Sequence, residues 1–333
     1  MWWYVDLVDD EGNGAVCIWS WALPFLPGVA SSARAGRGVV PRTRPSFNLS
    51  VYRQGRPEFY VLQELPAEAC RWEHHRWTFG RTTLERTDRD GRLRLEATID
   101  LDLSGPRLPV RGYLTLEGPL RTGLEGPRDE AHSWEPLTLG SATGQLTLEA
   151  GSYRAAIQGR AYHDRNGGRA PLQAIGISDW RWGRFALPGG DLVFTTVRGE
   201  GEDFVVWVDA DGRATRLAVT SAREASRVAS WIGPCWPREL RLETERGPVV
   251  IHQASLVDDA PFYQRAMGTA SFGGHTGPGI AERVLVRRLD PAWMRPLVRM
   301  RVDRGPQSSF WLPLFNGPRV HRHLPALPRR DRA

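Results

Sequence analysis

Short segments of alternating apolar and polar residues, separated by tight turn sequences, run along most of this chain. The turn signals are clearest at Asn13-Gly14, Asp90-Gly91 and Asp211-Gly212. Dipeptides of this kind between alternating segments are strong cues for β-hairpins, because glycine adopts the positive φ that such turns need. A period of two places every second side chain on the same face of a strand. The pattern therefore predicts an all-β chain built from antiparallel strands.

The predicted strands are Trp2–Val8, Ala15–Ala22, Ser46–Arg53, Glu58–Gln63, Trp77–Arg86, Leu93–Leu103, Val110–Glu117, Gln145–Glu149, Tyr153–Tyr162, Trp180–Leu187, Asp191–Val197, Phe204–Asp209, Thr215–Val219, Leu240–Glu245, Val249–Leu256 and Ala281–Arg288. This number exceeds one eight-stranded barrel, so two β domains are expected within the 333 residues. The segment 166–171, rich in Gly and Pro, is the predicted boundary. We expect an N-terminal domain at 1–168, a C-terminal domain at 169–315 and a basic tail at 316–333. Only Ala222–Ser230 is predicted to be helical for more than two turns.

All 44 basic residues are arginine, and the formal net charge is +6. The absence of lysine excludes a Schiff-base lysine and a P-loop lysine on a nucleotide phosphate. Most arginines are scattered among acidic residues, so we expect no nucleic-acid partner. The tail indicates either a flexible, solvated end or an anchor on anionic lipid. Its basic and imidazole side chains are Arg319, His321, Arg322, His323, Arg329, Arg330 and Arg332.

The cysteines, Cys17, Cys70 and Cys235, are odd in number and widely spaced. This usage argues against a disulfide framework and favours a reducing compartment. The first residues carry no signal-peptide pattern. We therefore expect a cytoplasmic protein, associated peripherally with the inner membrane.

An uncharged run at 15–33 approaches the length of a membrane-spanning helix. Because Pro24, Pro27 and Gly28 interrupt it, we interpret it as a buried strand that leads into an apolar loop. The loop side chains, among them Trp21 and Phe25, either pack inside the protein or enter a bilayer.

Chemistry-bearing residues concentrate in the segment 161–168 and in His132-Ser133-Trp134. The strand period puts Tyr162 and Asp164 on one face, and it puts His132 and Trp134 on one face of their own segment. The two pairs can then face each other across a cleft. An acid surrounded by aromatic rings suits proton-initiated alkene chemistry, since the rings stabilise the resulting carbocation. The alternative is a polar turn in which Asp164 caps backbone amides.

An aspartate with its ordinary pKa of about 3.9 is ionised at neutral pH and cannot donate a proton. Burial among Trp134 and Tyr162 raises such a pKa. His132 would tune the acid or position a water molecule. Arg165 would lower the pKa if it faced Asp164, so the hypothesis requires it on the opposite face.

Five motifs occur in an order that resembles the carotenoid 1,2-hydratase family, also called hydroxyneurosporene synthases. The similarity extends from Met1 to about Arg301. The motifs are Trp2-Trp3-Tyr4-Val5-Asp6, His132-Ser133-Trp134, Tyr162-His163-Asp164-Arg165-Asn166, Trp180-Arg181-Trp182-Gly183-Arg184 and Pro261-Phe262-Tyr263-Gln264-Arg265.

This resemblance implies two lipocalin-like β-barrel or β-sandwich domains with the active site in or near their interface. It implies a hydratase without metal or cofactor that adds water to the terminal C1–C2 double bond of an acyclic carotenoid such as lycopene or neurosporene. Asp164 would be the proton donor, with His132, Trp134 and Tyr162 as its essential neighbours. The chain departs from the family at Gly167, where an aromatic residue is usual.

Trp180 and Trp182 share one face of a predicted strand. They are candidates for substrate binding, with core packing as the alternative. A carotenoid does not dissolve in water, so the hydratase hypothesis requires contact with a membrane surface. Two other functions stay open on the same scaffold. One is a cyclase or pericyclase acting on a polyene natural product, and the other is a non-catalytic carrier of an apolar ligand.

Overall fold

The computed structural model describes residues 1–38, 40–104, 107–121, 132–168, 170–209, 211–230 and 233–319. Nearly all regular structure in these residues is β, which confirms the predicted fold class. The strands of the first half are β1 (Trp2–Val8), β2 (Gly14–Trp21), β3 (Pro45–Arg53), β4 (Arg56–Glu64), β5 (Cys70–Glu73), β6 (Arg76–Phe79), β7 (Thr82–Arg89), β8 (Arg92–Leu103), β9 (Leu108–Pro119), β10 (Ser133–Thr138), β11 (Thr143–Ala150) and β12 (Tyr153–Gly167).

The strands of the second half are β13 (Ile177–Leu187), β14 (Gly190–Gly199), β15 (Phe204–Asp209), β16 (Ala214–Val228), β17 (Trp236–Thr244), β18 (Gly247–Asp259), β19 (Tyr263–Phe272), β20 (His275–Val284) and β21 (Gly317–Pro318). Among the residues described, two short α-helices accompany them, α1 (Val29–Arg34) and α2 (Arg295–Arg299). Single 3₁₀ turns lie at Pro41–Thr43, Ala67–Ala69, Leu172–Ala174, Val286–Arg288, Ala292–Met294 and Leu312–Leu314.

In the described part of the chain, the N-terminal sheet has 13 strands in the order β21-β4-β3-β2-β1-β12-β11-β9-β8-β7-β6-β5, with β10 paired to β12. It curls around an apolar core, so that Trp3 of the middle strand β1 contacts Trp77 of β6 near the far edge. The core takes one set of alternating side chains from each strand, which include Trp3, Val5 and Leu7 of β1. The other set, beginning with Tyr4, faces the second half of the chain.

The second sheet closes into a barrel in which β13 to β20 follow one another and β20 pairs back to β13. Phe185, Phe194 and Leu240 belong to its internal cluster. Trp182 lies on the opposite face of β13 from Phe185, and it packs with Tyr4 and Tyr162 of the N-terminal sheet. The outer wall of the barrel is therefore the surface that meets the N-terminal sheet.

Buried charges join the two sheets. Arg184 of β13 forms a 2.7 Å ion pair with Asp6 of β1, and both side chains are almost fully enclosed. Arg265 of β19, paired at 3.1 Å with Asp258 of the neighbouring barrel strand β18, donates across the interface to the hydroxyl of Tyr52 in β3 over 2.6 Å. These contacts fix the two sheets relative to each other, because an unpaired charge in this interface would be costly.

The predicted helix at Ala222–Ser230 is wrong, because residues up to 228 continue strand β16 and pair with β17. Helix-favouring residues in that segment, such as Ala222 and Glu224, are held extended by the neighbouring strand. Tertiary pairing overrides local propensity here. The apolar run at 15–33 contains the predicted strand and loop, but it ends in helix α1, which was not predicted.

After the barrel, the chain returns to the N-terminal sheet. Asp303 accepts hydrogen bonds from the backbone and hydroxyl of Ser104, and β21 pairs with β4. The predicted division into domains stays a prediction, and the boundary between the two sheets lies between β12 and β13. The tail residues 320–333 lie outside the described residues. In the described part of the chain, no helix has the length and hydrophobicity that crossing a membrane requires.

Candidate active site

Asp164 lies within β12, in the middle of the N-terminal sheet. The strand pairs with β1 on one side and with β10 on the other, so that Tyr4 and Pro136 are the partners of Asp164 in register. Its side chain is 2% exposed. Asp164 is thus part of a regular strand and not of a polar turn.

The hydrogen bonds to Asp164 come from three side chains. The Tyr162 hydroxyl donates to Oδ2 over 2.8 Å, and the Trp134 indole N–H donates to the same oxygen over 3.0 Å. The Asn166 amide donates to Oδ1 over 2.7 Å. Trp134 also donates to the Tyr162 oxygen over 3.0 Å. The acid is therefore held in one orientation, as the predicted grouping of Trp134, Tyr162 and Asp164 requires.

Burial raises the pKa of Asp164 to about 8, against the opposing effect of the hydrogen bonds from Tyr162 and Trp134. The negative charges of Asp6 and Glu282 raise it further. A carboxyl group with this pKa is roughly nine-tenths protonated at pH 7. The site therefore holds a neutral carboxylic acid that can donate a proton.

The residues on either side of Asp164 in β12 point away from the acid, because successive side chains of a strand face opposite sides. Arg165 pairs with Glu135 of β10. His163 is buried on the same opposite face, with its Nδ1 atom 2.8 Å from the Tyr4 carbonyl. Burial lowers the pKa of His163 to about 4. Neither side chain places a positive charge on Asp164.

A cavity lies between the two sheets beside Asp164, and its volume of about 630 Å³ includes open solvent at the mouth. Aromatic rings form much of the wall, and Asp164, Asn166 and Glu282 are the polar groups with charge or amide character. The lining residues are Trp2, Tyr4, Ile18, Leu23, Pro24, Phe25, Asp164, Asn166, Leu172, Trp180, Trp182, Tyr263, Glu282 and Val284.

Trp180 and Trp182, the predicted substrate-binding residues, both line this cavity. The loop that follows β2 contributes Leu23 and Phe25, and the buried position of Leu23 makes it part of the protein interior. His132 packs its ring against Trp2 at 5.7 Å and against Trp180 at 5.5 Å, both measured between ring centroids. The structure thus brings His132 to two residues of the cavity wall.

Sequence reasoning did not single out Tyr4, Asn166, Tyr263 or Glu282 as parts of the site. Asn166 could have been found, because it continues the alternation of Tyr162 and Asp164 along β12. Tyr4 and Tyr263 lie in motifs that carried the family resemblance. Glu282 had no sequence signal, since it is one of many acids in alternating strands.

In the described residues, no group of three or more His, Cys, Asp or Glu side chains could hold a metal ion.

Fold and site together define an all-β protein with a protonated acid at the wall of an aromatic cavity. Residues 25–311 match the family model described as Carotenoid hydratase CrtC. The chain therefore belongs to the carotenoid hydratase family, and it is an enzyme of the hydro-lyase class.

Two acyclic carotenoid 1,2-hydratases are among the relatives of this chain. The acyclic carotenoid 1,2-hydratase of Cereibacter sphaeroides is 29% identical over 216 residues, which cover 63% of this chain and 73% of the relative. That of Thiocapsa roseopersicina is 25% identical, with 91% of this chain and 73% of the relative covered. A protein of Chlorobaculum tepidum named hydroxyneurosporene dehydrogenase is 25% identical over 96% of this chain and 93% of its own length.

Solved structures share the fold. An AttH-type protein of Nitrosomonas europaea superposes with a TM-score of 0.58 at 15% identity, covering 85% of this chain and 91% of the other. The crystal structure of CghA with Sch210972 superposes with a TM-score of 0.53 at 10% identity, covering 85% and 87%. These likenesses support the lipocalin-like fold that the resemblance implied.

Proposed function

We propose that this enzyme adds water to the terminal C1–C2 double bond of an acyclic carotenoid such as lycopene or neurosporene. The observation that carries the proposal is the buried Asp164, held by Trp134 and Tyr162 at the wall of an aromatic cavity. Hydration of an alkene is redox-neutral and needs an acid and a water molecule. The proposed reaction therefore proceeds without a cofactor.

Asp164 delivers its proton to C2 of the double bond, and the positive charge develops on the tertiary carbon C1. The proton leaves from Oδ1, which accepts one hydrogen bond, from Asn166, whereas Oδ2 accepts two, from Tyr162 and Trp134. These two donors stabilise the carboxylate that remains after transfer, in the manner of an oxyanion hole. Water then attacks C1 and gives a tertiary alcohol.

The aromatic wall stabilises the cation. Trp2, Tyr4, Trp180 and Trp182 line the cavity around the acid. In a desolvated site, the interaction between a cation and an aromatic face is worth about 2 kcal/mol or more. Trp134 and Tyr162, which were expected to stabilise the cation, are proposed to do so together with the rings that line the cavity.

The test is hydration of lycopene and neurosporene in water labelled with ¹⁸O, followed by mass spectrometry of the alcohol. We expect one label per hydrated end with the wild-type enzyme and at least a hundredfold loss of product with Asp164→Asn. A pericyclase would largely keep its activity in this variant, and a carrier would keep its ligand affinity. No labelled alcohol from either carotene would refute the proposal.

We further propose that the enzyme takes its substrate from an anionic membrane surface, which is the inner membrane if the protein is cytoplasmic. Several large apolar side chains are exposed in the segment that follows the barrel, including Phe310 at 88% and Trp293 at 69%. We call this set the apolar rim, and it consists of Trp293, Leu297, Phe310, Trp311 and Leu314.

Trp293 and Leu297 of the rim are followed in sequence by Met294 and Val298, which pack in the same cluster as the cavity residues Phe25 and Trp180. The nearby arginines Arg287, Arg288 and Arg299 are exposed, whereas the acid of this stretch, Asp290, is buried and paired with Arg295. Exposed aromatic rings next to arginines match the chemistry of an anionic lipid interface.

A further inference from the structure

A second carboxylate shares the cavity with Asp164. Glu282 projects from β20 of the barrel, on the wall opposite the N-terminal sheet that carries Asp164. Its Oε1 atom accepts a 2.8 Å hydrogen bond from Nε of the buried Arg265. Glu282 therefore has a cationic partner, whereas Asp164 has none among its described contacts. Two carboxyl groups of one site with different surroundings are a common basis for acid and base roles.

Tyr263 of β19 lines the same cavity as Glu282. Its hydroxyl oxygen is buried without a hydrogen-bond partner in the described part of the chain. Burial raises the pKa of Tyr263 well above its ordinary value, so the group remains a hydroxyl. A buried hydroxyl without a protein partner and a carboxylate in the same cavity offer the two or more polar contacts that a bound water requires.

We propose that Glu282, held by Arg265 and assisted by the Tyr263 hydroxyl, binds the attacking water and accepts its proton. This inference rests on the proposed hydratase function. The water oxygen forms a bond to C1 of the cation that Asp164 has generated, and one O–H bond of that water breaks. Its proton passes to the Glu282 carboxylate and returns to the ionised Asp164 through solvent at the cavity mouth. The sum of these steps is the addition of one water molecule, without oxidation or reduction.

Isotope exchange distinguishes the proposed role of Glu282 in water attack from the role of Asp164 in protonating the alkene. In D₂O, the cation can lose a proton back to the Asp164 carboxylate before water attacks, and the recovered carotene then carries deuterium. We expect Glu282→Gln to lower alcohol formation at least a hundredfold, while deuterium continues to enter recovered carotene. Asp164→Asn should abolish both signals. Glu117→Gln, which alters an exposed glutamate paired with Arg92, is the matched control and should change neither.

Tyr263→Phe supplies a second variant that leaves the ion pair with Arg265 intact. We expect it to reduce alcohol formation about tenfold, again with exchange preserved. The inference is overturned if both variants hydrate within twofold of wild type. It is also overturned if a folded Tyr263→Phe or Glu282→Gln enzyme loses exchange together with hydration, since these groups would then act before water capture. A wild-type enzyme that shows neither alcohol nor exchange would instead refute the proposed function itself.

Discussion

Tyr162 and Asp164 lie two residues apart on β12, and the phenol hydroxyl of Tyr162 donates a 2.8 Å hydrogen bond to Oδ2 of Asp164. The same oxygen accepts the Trp134 indole N–H, so two donors converge on one oxygen of the acid. Burial favours the neutral carboxyl group, whereas these donors favour the carboxylate. The balance leaves Asp164 protonated near neutral pH and yet able to release its proton.

Activity should depend on pH through Asp164. Its pKa is raised to about 8, so the active, protonated form is lost as pH rises through that value. We expect the rate of carotene hydration to fall about tenfold per pH unit above pH 8. A rate that stays constant up to pH 10, measured with an enzyme whose circular dichroism is unchanged, would contradict this assignment.

The raised pKa of Asp164 also makes the stability of the folded protein depend on pH. The folded protein binds a proton at Asp164 more tightly than the unfolded chain does, so this residue makes unfolding easier as pH rises from about 4 to about 8. Asp164→Asn removes this dependence. We expect the Tm of the variant, relative to wild type, to increase across this range and then to level off. Differential scanning calorimetry at several pH values measures it.

Removing the Tyr162 hydroxyl should weaken catalysis and raise the pKa of Asp164 further. Tyr162→Phe deletes a donor that stabilises the carboxylate, so we expect the rate at pH 7 to fall tenfold or more. The fall in rate on the alkaline side of the pH profile should move to higher pH. Tyr153→Phe is the matched control, because its hydroxyl contacts Glu58 elsewhere in the sheet. An unshifted alkaline limb in Tyr162→Phe would contradict the hydrogen-bond account.

The ion pair between Asp6 and Arg184 should be important for joining the two sheets. Both side chains are buried and 2.7 Å apart. Asp6→Asn leaves the guanidinium without its counter-charge, which we expect to lower the free energy of unfolding by about 3–5 kcal/mol. Urea denaturation measures this value. Glu117→Gln breaks an exposed pair with Arg92 and should cost less than about 1 kcal/mol.

Two glycines of β12 should respond differently to alanine. A Cβ atom at Gly159 would lie 2.2 Å from the carbonyl oxygen of Val8, and that backbone is fixed by its pairing with β12. At Gly167 the nearest contact is 3.4 Å, to the side chain of Met1. We expect Gly159→Ala to lower the free energy of unfolding by about 2 kcal/mol or more. Gly167→Ala should change it by no more than about 1 kcal/mol, and equal losses would contradict this geometry.

Binding to vesicles should depend on the apolar rim. We expect the double variant Trp293→Ser, Leu297→Ser to sediment several-fold less with vesicles that contain phosphatidylglycerol. Its hydration of carotene should fall in liposomes and persist in detergent, because the cavity is unchanged. Tyr113→Ser alters an exposed aromatic residue on the N-terminal sheet and is the control. Unchanged sedimentation of the double variant would refute the proposed membrane surface.

Local periodicity was sufficient to predict much of the structure around the acid. A period of two placed Tyr162 and Asp164 on one face and sent Arg165 to the other, and the structure has both arrangements. The same reasoning failed at Ala222–Ser230, because the extended form is stabilised by the neighbouring strand β17 rather than by the segment itself. Propensity therefore predicts poorly where exposed strands are long and paired.

The sequence by itself determined the all-β fold and the face of β12 on which the acid lies, since both follow from an alternation that each strand carries internally. Only the tertiary structure decided that β1 lies beside β12 and that the outer wall of the barrel covers them both. This packing gives Asp164 its burial and its raised pKa, and it brings Tyr263 and Glu282 into the same cavity. Burial and contacts between distant strands depend on how two sheets pack, which alternation within a strand cannot specify.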